Sequence, residues 1–387
     1  MGMEAPQSQW RTPPLPAQAG LSLETARLAL LWLAGASGAF VFMEPSPYEI
    51  ASLLTIAVFA ATGLALNARL LPLLFLLIAI NLGYSVSATQ VFDQERTLMW
   101  VLVSCYLGAT ALFYSAMLGR NAEQRLSALL SGYMFAAVLA STLAILGYFH
   151  LFGGASDFFL RYERARGTFN DPNVLGAFLV LPVLLTYQRI LAGKARQFAP
   201  QAAILCVLAA ALLLTFSRGA WAQCAIALAL LTSLMFVTSS SARERARITA
   251  AALLGLVALA GLILALLSVD RVAELFEMRA NLDQSYDLGH TGRFGRHELG
   301  FALALEKPLG VGPLQFSRYF PEDPHNSYLN AFMSGGWLSG ASYLALVLIT
   351  LVYGFRHAFV PSPLQRIYLA LFSAYAAASV ESAIIDT

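Results

Sequence analysis

Apolar stretches recur along nearly the whole chain, parted by short polar or Gly/Pro-rich breaks. Eleven of them, at 26–43, 48–66, 70–91, 97–118, 126–149, 172–191, 200–216, 219–238, 248–268, 328–355 and 366–385, are of the length, roughly 18 residues or more, that lets a helix cross a hydrocarbon core of about 30 Å. Only Ser217-Arg218 separates the seventh from the eighth. The pattern predicts an all-α polytopic membrane protein with eleven transmembrane helices, twelve being the alternative. It divides into a tail at 1–25, a helical bundle at 26–268, a polar loop at 269–330 containing short helices, and closing helices at 331–387.

Composition agrees. The chain is 58% hydrophobic and 12% charged, against about 25% charged residues in soluble domains. Residues 1–25, with Pro6, Pro13, Pro14 and Pro16, read as a disordered tail without the basic start and early apolar core of a signal peptide. Cys105, Cys206 and Cys224 fall inside apolar stretches and read as small buried hydrophobes.

The small net charge of +2 hides an asymmetry. If the N-terminus is cytoplasmic, the loops on its side hold thirteen basic and four acidic side chains, and the other side holds eleven basic and eighteen acidic. Clusters at 120–125, 194–196 and 243–247 satisfy the positive-inside rule. Three unusual segments then emerge together on the outward face: 150–173, the Thr215–Gly219 turn, and the long loop, which holds five Arg and three His.

Within that loop, Gly292 to Glu306 suits a helix with Arg293, Arg296 and His297 on one face. The KPLGVGP stretch at 307–313 would end it. Asp323 is the expected N-cap of the next span, which places His325 and Asn326 in its first turn, and Asp171-Pro172 reads as the same device before the sixth span. Helix N-termini beside arginines, here Arg166 and Arg218 with Asn170 upstream of the sixth span, form a natural phosphate site.

Each candidate has a plainer reading. Arg218 can be an interfacial arginine that snorkels, and Arg166 a solvated charge in a run with Arg161, Glu163 and Arg164. Arg293 and Arg296 suit bidentate phosphate contacts, or else a structural ion pair with Glu298 or Asp287. His325 is the best acid/base candidate, since histidine as a residue type titrates near neutrality; a capping role is its alternative. His150, His290 and His297 read as surface loop residues. Glu274/Glu277 and Glu322/Asp323 read as solvated faces, and the sequence lacks the HExxH or carboxylate–histidine spacing of a zinc site.

The block TGRFGRHELGFALALEKPLGVGPLQFSRYFPEDPHNSYLNAFMSGGWLSG resembles the signature region of the O-antigen ligase/polymerase superfamily: an Arg-bearing helix, a P-L-G-x-G turn and an H-N-x-Y/F-L motif entering a span with a Gly pair. RGTFNDPNVLG at 166–176 and SRGAW at 217–221 match its two other recurring features. The resemblance covers roughly 165–340 and implies a glycosyltransferase of the bacterial inner membrane, active on the periplasmic face without metal or cofactor. Its donor would be a glycan on undecaprenyl pyrophosphate, its acceptor a hydroxyl of lipid A-core or of another glycan, its surroundings the lipid bilayer, with no nucleic acid partner. By that resemblance Arg166, Arg218, Arg293 and Arg296 hold the pyrophosphate, and Arg218 and Arg293 also stabilise the departing charge. His325 activates the acceptor, and Asn170, Asn173 and Asn326 support the site. The family commonly has about twelve spans with both ends cytoplasmic, whereas eleven leave ESAIIDT outward, which leaves two alternatives open: a chain truncated after Thr387, or one span missed in the count. O-antigen ligase is favoured, with polymerase and protein O-oligosaccharyltransferase as alternatives. A small-anion transporter would need ionisable residues deep in several spans, and few polar residues, Asn81 and Gln223 among them, lie there.

Overall fold

The structure is a computed structural model that describes residues 22–43, 45–91, 95–193, 198–280, 292–320 and 322–384. Every predicted span coincides with a helix: α1 Leu23–Ser37, α2 Pro47–Thr62, α3 Leu71–Ala88, α4 Glu95–Met117, α5 Ala122–Tyr148, α6 Pro172–Ala192, α7 Phe198–Leu214, α8 Arg218–Thr238, α9 Ala242–Leu267, α12 Ser327–Ala358 and α13 Gln365–Ile384. Among the described residues, seven helices are long and apolar enough to cross a membrane. The polar loop contributes α10 Asp270–Ala280 and α11 Arg293–Glu306. Small residues let helices approach: a Cβ at Gly35 of α1 would lie 2.4 Å from the Leu129 carbonyl oxygen of α5, and one at Gly132 of α5 would lie 2.1 Å from the Trp32 carbonyl oxygen of α1. Ser339 of α12 donates to the Ile80 carbonyl of α3 at 2.6 Å.

Specific contacts orient the bundle. Gly176 of α6 lies against Ala220 and Thr215, so the N-termini of α6 and α8 sit side by side. Arg366, at the start of α13, pairs with Glu244, at the start of α9, at 3.4 Å. Because α9 begins just past the end of α8, α13 runs antiparallel to α8 and returns its C-terminus to the end where α8 starts. There Tyr328 of α12 donates to the Ser379 carbonyl at 2.8 Å. The same end receives α1, whose following residue Val41 donates to the Thr168 carbonyl at 3.1 Å, and α5, whose Tyr148 ring is 6.2 Å from Phe216. Segments 150–173, 215–218 and 270–280 gather there with the entry to α12. Arg27, Arg125 and Glu24 lie at the opposite end, where the two guanidinium groups stack on Phe59.

Several expectations are corrected. Helix α1 starts at Leu23, capped by Ser22, so residues 23–25 are helical; the remaining tail to Leu21 lies outside the described residues. The first span ends at Ser37 rather than 43, and the second at Thr62, with Gly63 left-handed. Cys224 is buried, whereas Cys105 and Cys206 are exposed on helix surfaces, where a thiol faces lipid as comfortably as it packs in a core.

Candidate active site

The 150–173 segment folds back on itself. Leu160–Arg161 (β1) pairs antiparallel with Arg164–Ala165 (β2) across Tyr162 and Glu163, both with positive φ. This hairpin turns Arg164 inward to 7% exposure. Its Nε donates to the Thr215 carbonyl at 2.7 Å and its Nη2 to Asn173 Oδ1 at 2.6 Å. One buried cation thus ties the hairpin, the α6 start and the α7–α8 turn together. Its role left no sequence signal, because Arg161, Arg164 and Arg166 lie within six residues and only the strand register selects which one points inward.

Both helix starts are capped by side chains. Asp171 accepts from the Asn173 amide at 2.8 Å, and Ser217 from the Ala220 amide at 3.3 Å, leaving Arg218 as the first residue of α8. Arg218 is half-buried. Arg166 is half-buried and turned outward: its Nε donates to the Phe158 carbonyl at 3.0 Å and its guanidinium lies over the Phe158 ring. The Asn170 carbonyl accepts from Arg161 at 2.8 Å. Helix α10 covers the α7–α8 turn, with Phe276 stacked on Trp221 and Arg271 donating to His150 Nε2 at 2.6 Å.

Helix α11 presses on the entry to α12. Arg296 is 3% exposed and donates from Nη1 to Glu322 at 2.8 Å; its Nε makes no hydrogen bond among the described residues. The structural ion pair expected of Arg296 is therefore made with Glu322 rather than Glu298, Asp287 lying outside the described residues, and Glu322 is no freely solvated charge. His297 is helical rather than a loop residue, and its Nε2 lies 2.5 Å from the Pro324 carbonyl, to which it donates. The N-cap of α12 is Asn326, not Asp323: Asn326 Oδ1 accepts from the Leu329 amide at 2.9 Å, while its Nδ2 donates to the Ala383 carbonyl of α13 at 2.7 Å. His325 accordingly precedes the helix, half-buried and left-handed with φ 46°. Its imidazole makes no hydrogen bond among the described residues. His325 and Asn326 lie outside the helical region, and the Asn326 carboxamide satisfies both the Leu329 amide and the Ala383 carbonyl of α13. The Arg293 side chain and His290 lie outside what is described.

The P-L-G-x-G turn has a mechanical role the sequence did not announce. Helix α12 breaks at Gly336, with φ 70° and ψ −168°. Residues 308–311 fill the break: the Trp337 amide donates to the Pro308 carbonyl at 2.9 Å, and the Val311 amide to the Met333 carbonyl at 2.7 Å. Trp337 Nε1 donates to Ala304 at 2.9 Å, satisfying a carbonyl at the end of α11. Phe316, Val311, Ala304, Leu329 and Met333 form a small core beneath. The arginine helix is thus locked in register with the helix that His325 introduces.

Arg164, Asn173 and Arg218 lie around the α6–α8 starts, and Arg296, His325 and Asn326 around the α11–α12 junction. Helix α13 packs against α6, α8 and α12 between them. Comparison with curated proteins finds no match, and neither does comparison with solved structures. Residues 202–344 match the O-antigen ligase family, a range from α7 into α12 that includes Arg218, Arg293, Arg296 and His325. That match, joined to the helical architecture, supports the O-antigen ligase/polymerase superfamily for this segment of the chain.

Proposed function

We propose that this protein transfers a glycan from undecaprenyl pyrophosphate to a hydroxyl acceptor at the periplasmic face of the bacterial inner membrane, and that the acceptor is lipid A-core. The match of residues 202–344 to the O-antigen ligase family supports a membrane enzyme of the glycan ligase or polymerase type. The observation that carries the finer reading is the gathering, at one end of the bundle, of two paired helix starts bearing Arg218 and an arginine helix clamped beside His325. Helix N-termini and guanidinium groups suit a pyrophosphate, and fixed cations favour its departure because charge builds there as the glycosidic bond breaks.

In this reading Arg218 and Arg293 stabilise the leaving pyrophosphate, and Arg166 and Arg296 help to bind it. Arg296 meets a phosphate by exchanging Glu322. His325 takes the proton of the acceptor hydroxyl as its oxygen attacks the anomeric carbon, and the electron pair of the broken bond leaves with the pyrophosphate. Asn170, Asn173 and Asn326 support the geometry: Asn173 through Arg164, Asn326 through the α12 cap. No metal or cofactor takes part. The test is the envelope glycan of a deletion strain complemented with wild type, Arg218→Ala or His325→Ala. Wild type alone should move long glycan onto lipid A-core while both variants leave it on the carrier. Glycan reduced to single repeats in the deletion strain would make the protein a polymerase, and an unchanged profile would refute both readings.

A further inference from the structure

Helix α11 has three faces, each made of residues four positions apart. Arg296, Gly300 and Ala304 are buried, Gly300 against Leu329 of α12 and Phe316, Ala304 in the small core beneath. Glu298, Ala302 and Glu306 are exposed and include both carboxylates of the helix. Phe301 and Leu305 form the third face, and they are 41% and 71% exposed although apolar. A helix that otherwise sorts its side chains by burial leaves two large hydrophobes outside, which calls for a partner. The surroundings identify it. Leu309, four positions on in the turn after α11, is 59% exposed, and its carbonyl accepts from Gln90 at 3.4 Å just past the end of α3. On α3 itself Leu82 and Val86 are exposed. On the other flank Trp337 of α12 donates to the Ala304 carbonyl and is exposed, as is Leu338 beside it. Both α3 and α12 are long and apolar enough to cross a membrane, so the apolar face of α11 continues the lipid-facing surface of two spans. An exposed tryptophan with its N–H satisfied suits the level where such a surface meets the headgroups.

We infer that α11 lies in the bilayer interface at the end of α3, with Phe301, Leu305 and Leu309 seated among lipid chains and Glu298 and Glu306 turned to water. The partner is the lipid surface as such, since the contact is made by apolar side chains. The bilayer and the P-L-G-x-G turn then fix different things. The turn, held in the α12 break, sets the position of α11 along α12. The bilayer sets its roll, because rotation about the helix axis would lift Phe301 and Leu305 into water and lower the carboxylates into hydrocarbon. That roll keeps Arg296 on Glu322 and His297 on the Pro324 carbonyl.

The test uses the full-length protein, freed of its native cysteines, in nanodiscs of phosphatidylethanolamine and phosphatidylglycerol. Glu298→Cys, Leu305→Cys, Glu306→Cys and Leu309→Cys each carry a nitroxide, and each is first matched to the unfolding midpoint of the unlabelled parent. Power saturation compares collisions with oxygen, which concentrates in hydrocarbon, and with a neutral nickel chelate, which stays in water. The oxygen-to-nickel ratio at 305 and 309 should exceed that at 298 and 306 by about tenfold, as for a polar solute kept out of an apolar layer. Equal ratios at all four positions would place the face in water and overturn the inference. Low access of both reagents with an immobilised spectrum at 305 would mean that protein, such as a second copy of the chain, covers the face, and overturns it equally. If the label at 305 lowers the midpoint, Leu309→Cys, outside the helix, decides alone.

Discussion

Replacing Gly336 with alanine attacks the interlock that fixes α11 against α12. The residue sits at φ 70°, ψ −168°, a region essentially reserved for glycine, and a Cβ there would lie 2.3 Å from the Pro308 carbonyl oxygen and 2.6 Å from the Leu309 carbonyl carbon. Both neighbours are backbone and cannot rotate away. The turn must therefore leave the break, taking with it the hydrogen bonds from Trp337 to Pro308 and from Val311 to Met333. Backbone strain of about 1–3 kcal/mol and two hydrogen bonds at about 0.5–1.5 each give a destabilisation of about 2–6 kcal/mol. Gly261→Ala is the control, since a Cβ at Gly261 meets nothing within 4 Å; there alanine should be neutral or stabilise by up to about 1 kcal/mol. Reversible unfolding in mixed micelles measures both, and limited proteolysis between residues 307 and 320 reports whether the turn has come loose. A Gly336→Ala protein as stable as the control, with the turn still protected, would show that the clip contributes little and that α11 is positioned by something else.

Arg164→Lys should destabilise the protein by about 2–4 kcal/mol and abolish glycan transfer, because a single ammonium cannot serve both the Thr215 carbonyl and Asn173, whose charged bonds are worth about 1.5–3 kcal/mol each; unfolding and transfer assays that match wild type refute this. His325→Ala should leave the unfolding midpoint unchanged and slow transfer by about 10²–10⁴-fold, whereas Asn326→Ala should cost about 0.5–2 kcal/mol as a lost cap; a fully active His325→Ala enzyme removes the proposed base. Cysteines placed at Tyr162 and at Arg243 in a cysteine-free background should react from opposite sides of the membrane with an impermeant maleimide, Tyr162 from outside. Labelling of both from one side contradicts the topology.

The hydrophobic pattern alone determined the helices, because in a bilayer any apolar run of sufficient length must satisfy its backbone internally. It placed a helix at each of the eleven apolar stretches, seven of them long and apolar enough to cross a membrane among the described residues, and, with the capping residues, the start of α6 and the extent of α11. The likeness to the O-antigen ligase family over residues 202–344 was legible too, since its motifs are local and ordered along the chain. What the tertiary structure decided depends on direction and register. Which of Arg161, Arg164 and Arg166 turns inward depends on a two-residue strand pairing. The partner of Arg296 is Glu322, twenty-six positions away, because two segments pack that the sequence leaves unrelated. Asn326 rather than Asp323 caps α12 because α13 returns to supply the Ala383 carbonyl. The glycines at 310 and 336 look like separate breaks in the sequence, but they share one interlock, since each leaves the space the other's backbone occupies.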